Sequence, residues 1–385
     1  MLDINGFSLL LSVIVTSIAA VKVVDFISPI TLVEHGRTSQ IDGIRGFLAI
    51  FVMLHHSNIW YHYLSTEQWV KPATHLYTNL GQVGVTFFFM ITGFLFFTKI
   101  RKDNQDWLHL FLSRFLRLTP MFLLSISLLF LIVSWKSNWK IQTPINDLLN
   151  SCAKWIGFTI FGSPNINNVK DTFTINAGVA WTLVYEWLFY FSLPVIAFII
   201  RKKVPAILII ATIILCFTIF HVFPIKLVNL LSFAFGFIAS LLCQQNKIIL
   251  IAKNKLTPIL IILIISYELV AFPTTFSIIP ITICGIVFIL ISAGCSMYGI
   301  LDAKVARKLG EATYSIYLLH GIFFYLFMNI FITEKPPTHL YFLYVCLISF
   351  CVVFISCFTY KFIEQPFIKI SSRLAEKFRF KTAIR

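Results

Sequence analysis

The chain has 385 residues, 58% of them hydrophobic and only 12% charged, with a mean hydropathy of +0.87. A soluble domain covers its surface with about 25% charged residues, so the composition excludes a soluble protein. The net charge of +15 sits in short breaks between apolar runs, which argues against nucleic acid and for loops held at an anionic membrane leaflet.

Apolar segments run at 7–31, 44–63, 81–98, 118–135, 179–200, 206–223, 227–243, 258–273, 277–298, 312–332 and 339–360. Most approach the ~18–20 residues that cross a ~30 Å hydrocarbon core. Backbone groups in lipid must be paired within the segment, so these are helices. The expected fold is all-α, a polytopic membrane helix bundle with about ten core transmembrane helices plus an N-terminal extra helix. Residues 1–36 form the N-terminal apolar helix, which is expected to span despite Lys22 and Asp25, and Met1–Gly6 lack the basic start of a cleaved signal peptide. Residues 37–367 form the main transmembrane domain, and 368–385 a basic tail. The eight cysteines lie mostly inside apolar segments without CxxC spacing, and read as small buried hydrophobes rather than disulfides or metal ligands.

Most of the 31 Lys and Arg residues fall in one alternate set of breaks, from Arg37 and Arg45 through the 99–117 and 201–203 breaks to the C-terminal tail. That bias places the tail in the cytoplasm and turns the 64–80 and 136–178 loops outward.

Candidate chemistry begins in IDGIRGFLAIFVMLHH. Arg45 and His56 are eleven residues apart, so on a helix they are about 20° out of phase and ~16 Å apart along the axis, whereas His55 is ~80° off that face. A cation at the cytoplasmic mouth suits an anionic donor, and a deeper imidazole suits a general base. The structural alternative is a snorkelling arginine and a packed histidine. In RFLRLTP, Arg114 and Arg117 share a helix face and could grip phosphates or simply anchor the cytoplasmic end, with Pro120 suited to the first turn of the next helix. In WTLVYEWLFYF, Glu186 is a carboxylate within the membrane that must be paired, protonated or beside a wet cavity. It could orient His56, pair with an arginine or bind the acceptor. Trp181 and Tyr185 suit an interfacial belt and are also candidates for holding the acceptor, as is His320 in GEATYSIYLLHG. For His320 a satisfied interhelical hydrogen bond is the competing reading. Glu364 in YKFIEQP reads as structural, and Gly81, Gly84 and Gly93 permit close approach of helices or ligand. There is no Walker A, Rossmann, HExxH or GxSxG motif, and no metal site is expected.

Taken in order, IDGIRG with Arg45 and His56, GVTFFFMITGFLF, RFLRLTP, WTLVYEWLFYF, GEATYSIYLLHG and YKFIEQP resemble the acyltransferase-3 family of bacterial membrane O-acyltransferases. The resemblance covers about residues 40–367. It implies about ten membrane helices in the bacterial inner membrane, acetyl-CoA as cytoplasmic donor and an acceptor hydroxyl on the outer side. It marks Arg45 and His56 as the family's basic–histidine pair, with His56 catalytic, and matches Arg114 and Arg117 to its paired-arginine motif and Trp181 and Glu186 to its Trp–Glu motif. The expected mechanism has Arg45, Arg114 and Arg117 hold the donor while Glu186 tunes the catalytic cavity. Thr86 and Thr92 stand where the family often has Asp and Ser. No fused hydrolase-like domain is expected after residue 367. The expected partners are the acyl-CoA donor, a carbohydrate or glycolipid acceptor and membrane lipids. The rivals are a secondary transporter, with Glu186 and His320 relaying protons between inverted repeats, and a structural subunit of a glycan export system.

Overall fold

The computed structural model describes residues 6–32, 39–102, 106–200, 202–332, 335–371 and 373–374. Arg37, Arg201 and residues 372 and 375–385 of the basic tail lie outside the described residues. Fourteen α-helices account for most of the described chain: α1 (Gly6–Ile27), α2 (Ser39–Thr66), α3 (His75–Lys102), α4 (Trp107–Lys136), α5 (Ile145–Ile156), α6 (Trp181–Ile199), α7 (Ala206–Val222), α8 (Leu227–Leu242), α9 (Asn246–Ala252), α10 (Thr257–Ala271), α11 (Ile278–Ser292), α12 (Lys304–Glu311), α13 (Thr313–Leu326) and α14 (Thr338–Thr359). Each apolar segment of the sequence coincides with one of them, and the fold is all-α. Single π-helical turns, Phe327–Phe331 and Tyr360–Glu364, extend α13 and α14.

Six helical stretches are long and apolar enough to cross a membrane by themselves, and the α8–α9 pair, bent by 107°, makes a seventh if it is one span. The helices α7, α10 and α11 are apolar but only 15–17 residues long. At 28 residues α2 is long enough, about 42 Å, yet it is absent from the apolar set. The reason is its polar content, Asp42, Arg45, His55, His56, Ser57 and Asn58 among others. Such residues are costly in lipid and are kept where they do work.

The chain divides into two compact units, Met1–Lys99 with Lys226–Phe358, and Ile100–Ile225 with Thr359–Arg385. In the first, α2 is the hub and packs on α1, α11, α12 and α13. The crossing with α12 brings backbone onto backbone: a Cβ at Gly43 would lie 1.9 Å from the Leu301 carbonyl oxygen, and one at Gly310 1.8 Å from that of Asp42. Only glycine fits either place. Ser39 and Gln40 both bond to the Asp302 carboxylate, and Asp25 of α1 forms an ion pair with Lys308 of α12, so α1 is tied into this unit. The α10–α11 turn is held by α3. Asn79 Nδ2 donates to the Phe272 carbonyl at 2.6 Å, and Gln82 Oε1 accepts from the Thr275 N–H at 2.7 Å.

In the second unit, Asp106 caps α4 by accepting from the His109 N–H, and α4 then runs unbroken past Pro120. That corrects the expectation of a helix starting at Pro120. A membrane helix tolerates an interior proline when neighbouring groups re-satisfy the freed carbonyl, so RFLRLTP and the span after it are one helix. The helix α6 packs on α7, and Phe158 stacks on Phe122 of α4 with ring centroids 4.4 Å apart. The segment between α4 and α6 is folded, not loose. It contains α5 and is stapled by Asn167, which donates to the Lys140 carbonyl and accepts from the Gln142 N–H.

Candidate active site

Two polar clusters contain most of the residues singled out in the sequence, one in each unit. In the first unit, α2 is continuous from Arg45 to His56, so the eleven-residue spacing does place them ~16 Å apart along one helix. Both side chains are half-buried. His320 of α13 is fully buried, and its Nε2 lies 2.9 Å from His56 Nδ1. His56 Nδ1 is also 3.1 Å from the Val52 carbonyl, and His320 Nδ1 is 3.1 Å from the Ile316 carbonyl.

These contacts assign the proton positions, because a carbonyl only accepts. His320 Nδ1 carries the hydrogen that the Ile316 carbonyl takes, so in the neutral ring its Nε2 holds a lone pair. That lone pair accepts from His56 Nδ1–H. His56 Nε2 is therefore the unprotonated nitrogen, and among the described residues it makes no hydrogen bond. A basic nitrogen with a fixed tautomer and an open lone pair can take a proton from a hydroxyl.

The surroundings hold this ring in place. Trp69 lies roughly parallel to His56, with centroids 6.4 Å apart and 20° between planes. His55 packs edge-on at 4.9 Å, and its own Nδ1 faces the Tyr77 carbonyl at 2.8 Å. Gly81 of α3 sits against the His55 ring, where a Cβ would come within 2.5 Å. Gly84 and Gly93 similarly face the carbonyls of Leu48 and Phe233, so all three glycines serve helix approach. The titratable groups that act on His56 are His55 and His320. Among the described residues no group of three or more His, Cys, Asp or Glu side chains is placed to hold a metal ion.

The second unit carries fixed charges. Arg114 of α4 hydrogen-bonds to Tyr190 of α6, and the Tyr190 hydroxyl donates to Glu186 Oε2 at 3.0 Å. Arg117 stands one turn beyond Arg114 and adds a second positive charge to it. Within this unit Glu186 is thus joined to an arginine through a tyrosine, one of the roles open to it from the sequence. Trp181 begins α6 and packs edge-on against Tyr185, with centroids 5.5 Å apart. Glu364 is buried in the π turn after α14.

Four contributors went unread in the sequence. Tyr190 was legible, since i,i+4 spacing places it beside Glu186 on a helix. Trp69 gave only the weak sign of an aromatic in a polar loop, and the Val52 and Ile316 carbonyls gave none.

A family model described as an acyltransferase domain matches residues 38–360. The chain belongs to the acyltransferase-3 family. No curated protein and no solved structure matches it. All the candidate residues of this acyltransferase fall inside the matched span, whereas α1 precedes it. It is a multi-pass membrane acyltransferase.

Proposed function

We propose that this acyltransferase moves an acetyl or other small acyl group from cytoplasmic acyl-CoA to a hydroxyl of a cell-surface carbohydrate. Candidates are lipopolysaccharide O-antigen, capsule, exopolysaccharide and peptidoglycan sugars, acylated by an enzyme in the bacterial inner membrane with its C-terminus cytoplasmic. The observation that carries the reading is the His320–His56 relay, which leaves His56 Nε2 as a lone pair.

His56 Nε2 takes the proton of the acceptor hydroxyl as its oxygen attacks the thioester carbonyl. A C–O bond forms, the C–S bond breaks, and the departing thiolate recovers the proton from His56. While His56 is charged, its Nδ1–H stays bonded to His320 Nε2, which spreads part of the charge. A short-lived acyl-His56 is the alternative route, and rapid quenching before acceptor is added distinguishes it. Arg45, Arg114 and Arg117 are the cations suited to donor phosphates, since guanidinium groups bind them by paired hydrogen bonds. Glu186 acts through Tyr190 to hold Arg114 in position. The transporter alternative draws on broken helices, but the 107° bend lies between the end of α8 and the start of α9, and neither His56 nor Glu186 belongs to those helices.

Purified protein incubated with radiolabelled acetyl-CoA and a panel of glycans tests the proposal. Label is expected on the glycan with the wild type and not with His56→Ala. An unlabelled panel, or equal labelling by the variant, overturns it.

A further inference from the structure

A cavity of about 50 Å³ opens in the second unit, between α5, the first turn of α6 and Phe223 just after α7. Its walls are the aromatic side chains of Trp155, Phe173, Trp181 and Phe223, interrupted by Ser163 and Asn176. Among the described residues no charged side chain lines it. On the order of four water-sized groups fill such a volume, so it admits one edge of a sugar ring with its hydroxyls rather than a whole residue.

The walls are held rigidly. Trp155 Nε1 donates to the Pro164 carbonyl at 2.9 Å, and Asn176 Oδ1 accepts from the Gly178 N–H at 3.1 Å, which leaves the Asn176 Nδ2 hydrogens as donors. Phe158, Thr159, Asp171 and Ala177 all have φ between 50° and 57°. Non-glycine residues pay to occupy that left-handed region, a β-branched threonine most of all, and they persist there only where surrounding structure imposes it. Of the four, Thr159 lines the pocket, and Phe158 and Ala177 are chain neighbours of lining residues.

The lining selects the ligand. A phosphate or coenzyme A would call for cations, and none lines the cavity. A hydrocarbon chain would favour an apolar wall, such as the larger cavity of about 300 Å³ lined by Phe130, Val133, Leu148 and Leu149 beside Lys140. Aromatic faces alternating with an amide and a hydroxyl match an uncharged sugar, whose C–H faces pack on rings while its hydroxyls exchange hydrogen bonds. We infer that this pocket binds one edge of a neutral sugar ring, with Trp181 and Phe173 as packing faces and Asn176 and Ser163 as hydrogen-bonding groups. That the bound sugar is an acyl acceptor rests on the function proposed above; the binding of sugar does not.

The test is saturation-transfer NMR on the purified full chain in lipid nanodiscs, with glucose and N-acetylglucosamine as separate probes. Sugar ring protons are expected to show transfer with the wild type. Ser163→Trp, at an exposed position, fills the pocket and is expected to abolish the signal with the thermal midpoint unchanged. Phe173→Ala is expected to weaken binding by about tenfold, the equivalent of one lost aromatic packing contact. The inference is overturned if neither probe shows transfer, if both variants match the wild type, or if Ser163→Trp removes a coenzyme A signal instead. If labelled acetyl never reaches a glycan while the sugar signal persists and is lost in Ser163→Trp, acyl transfer falls and the sugar site stands.

Discussion

Around His56 and His320 the hydrogen bonds link ring nitrogens to backbone carbonyls and to each other. Around Arg114 and Glu186 they pass through a tyrosine between a guanidinium and a carboxylate. The first cluster can gain and lose a proton by small electronic rearrangement, because no fixed charge has to be overcome each time. The second keeps its charge throughout and is suited to holding an anion in one place. The proposed roles follow that difference, proton transfer for the imidazoles and donor binding for the guanidinium groups.

The sharpest way to break this contrast is to remove the base. His56→Ala is expected to lower acyl transfer by about a thousandfold, within the usual range for a lost general base, with the thermal midpoint retained; a loss under tenfold would move the proton acceptor elsewhere. His320→Leu comes next. It removes the acceptor that fixes the His56 tautomer, so kcat is expected to fall by about thirtyfold with little change in KM, a cost of ~2 kcal/mol for an unmade buried hydrogen bond. His320→Gln offers a carbonyl oxygen at a similar reach and should recover part of that loss, whereas equal activity of the two variants would reduce His320 to packing. In the charged cluster the effect shifts from rate to binding. Arg114→Ala is expected to raise the donor KM by about tenfold, the worth of one charge-assisted hydrogen bond, and an unchanged KM would remove Arg114 from the donor site. Tyr190→Phe deletes only the linking hydroxyl and should raise the donor KM by about threefold. A larger effect there than in Arg114→Ala would mean that Glu186, not the arginine, is the member that matters.

Much of the fold was legible because lipid imposes one rule on every apolar run. The elements that escaped the sequence, α5, α9 and α12, are helices of 7–12 residues, too short for that rule and amphipathic or polar in part. Pro120 was misplaced because proline suits both a helix start and a membrane helix interior, and its neighbours decide between them. For the site, the Arg45–His56 spacing could be computed from helix geometry alone. The meeting of His56 with His320 could not, since 264 residues separate them and only the packing of α13 on α2 brings them together. The pocket near Trp181 was hidden for a similar reason, since its walls come from α5, α6 and a turn whose left-handed residues leave no clear mark in the sequence.

The ion pair between Asp25 and Lys308 bears on where this protein can be cut. The matched family span begins at residue 38, which invites trimming the leader helix for expression. Doing so would strand an ammonium group on α12, which lies directly against α2, the helix that carries His55 and His56.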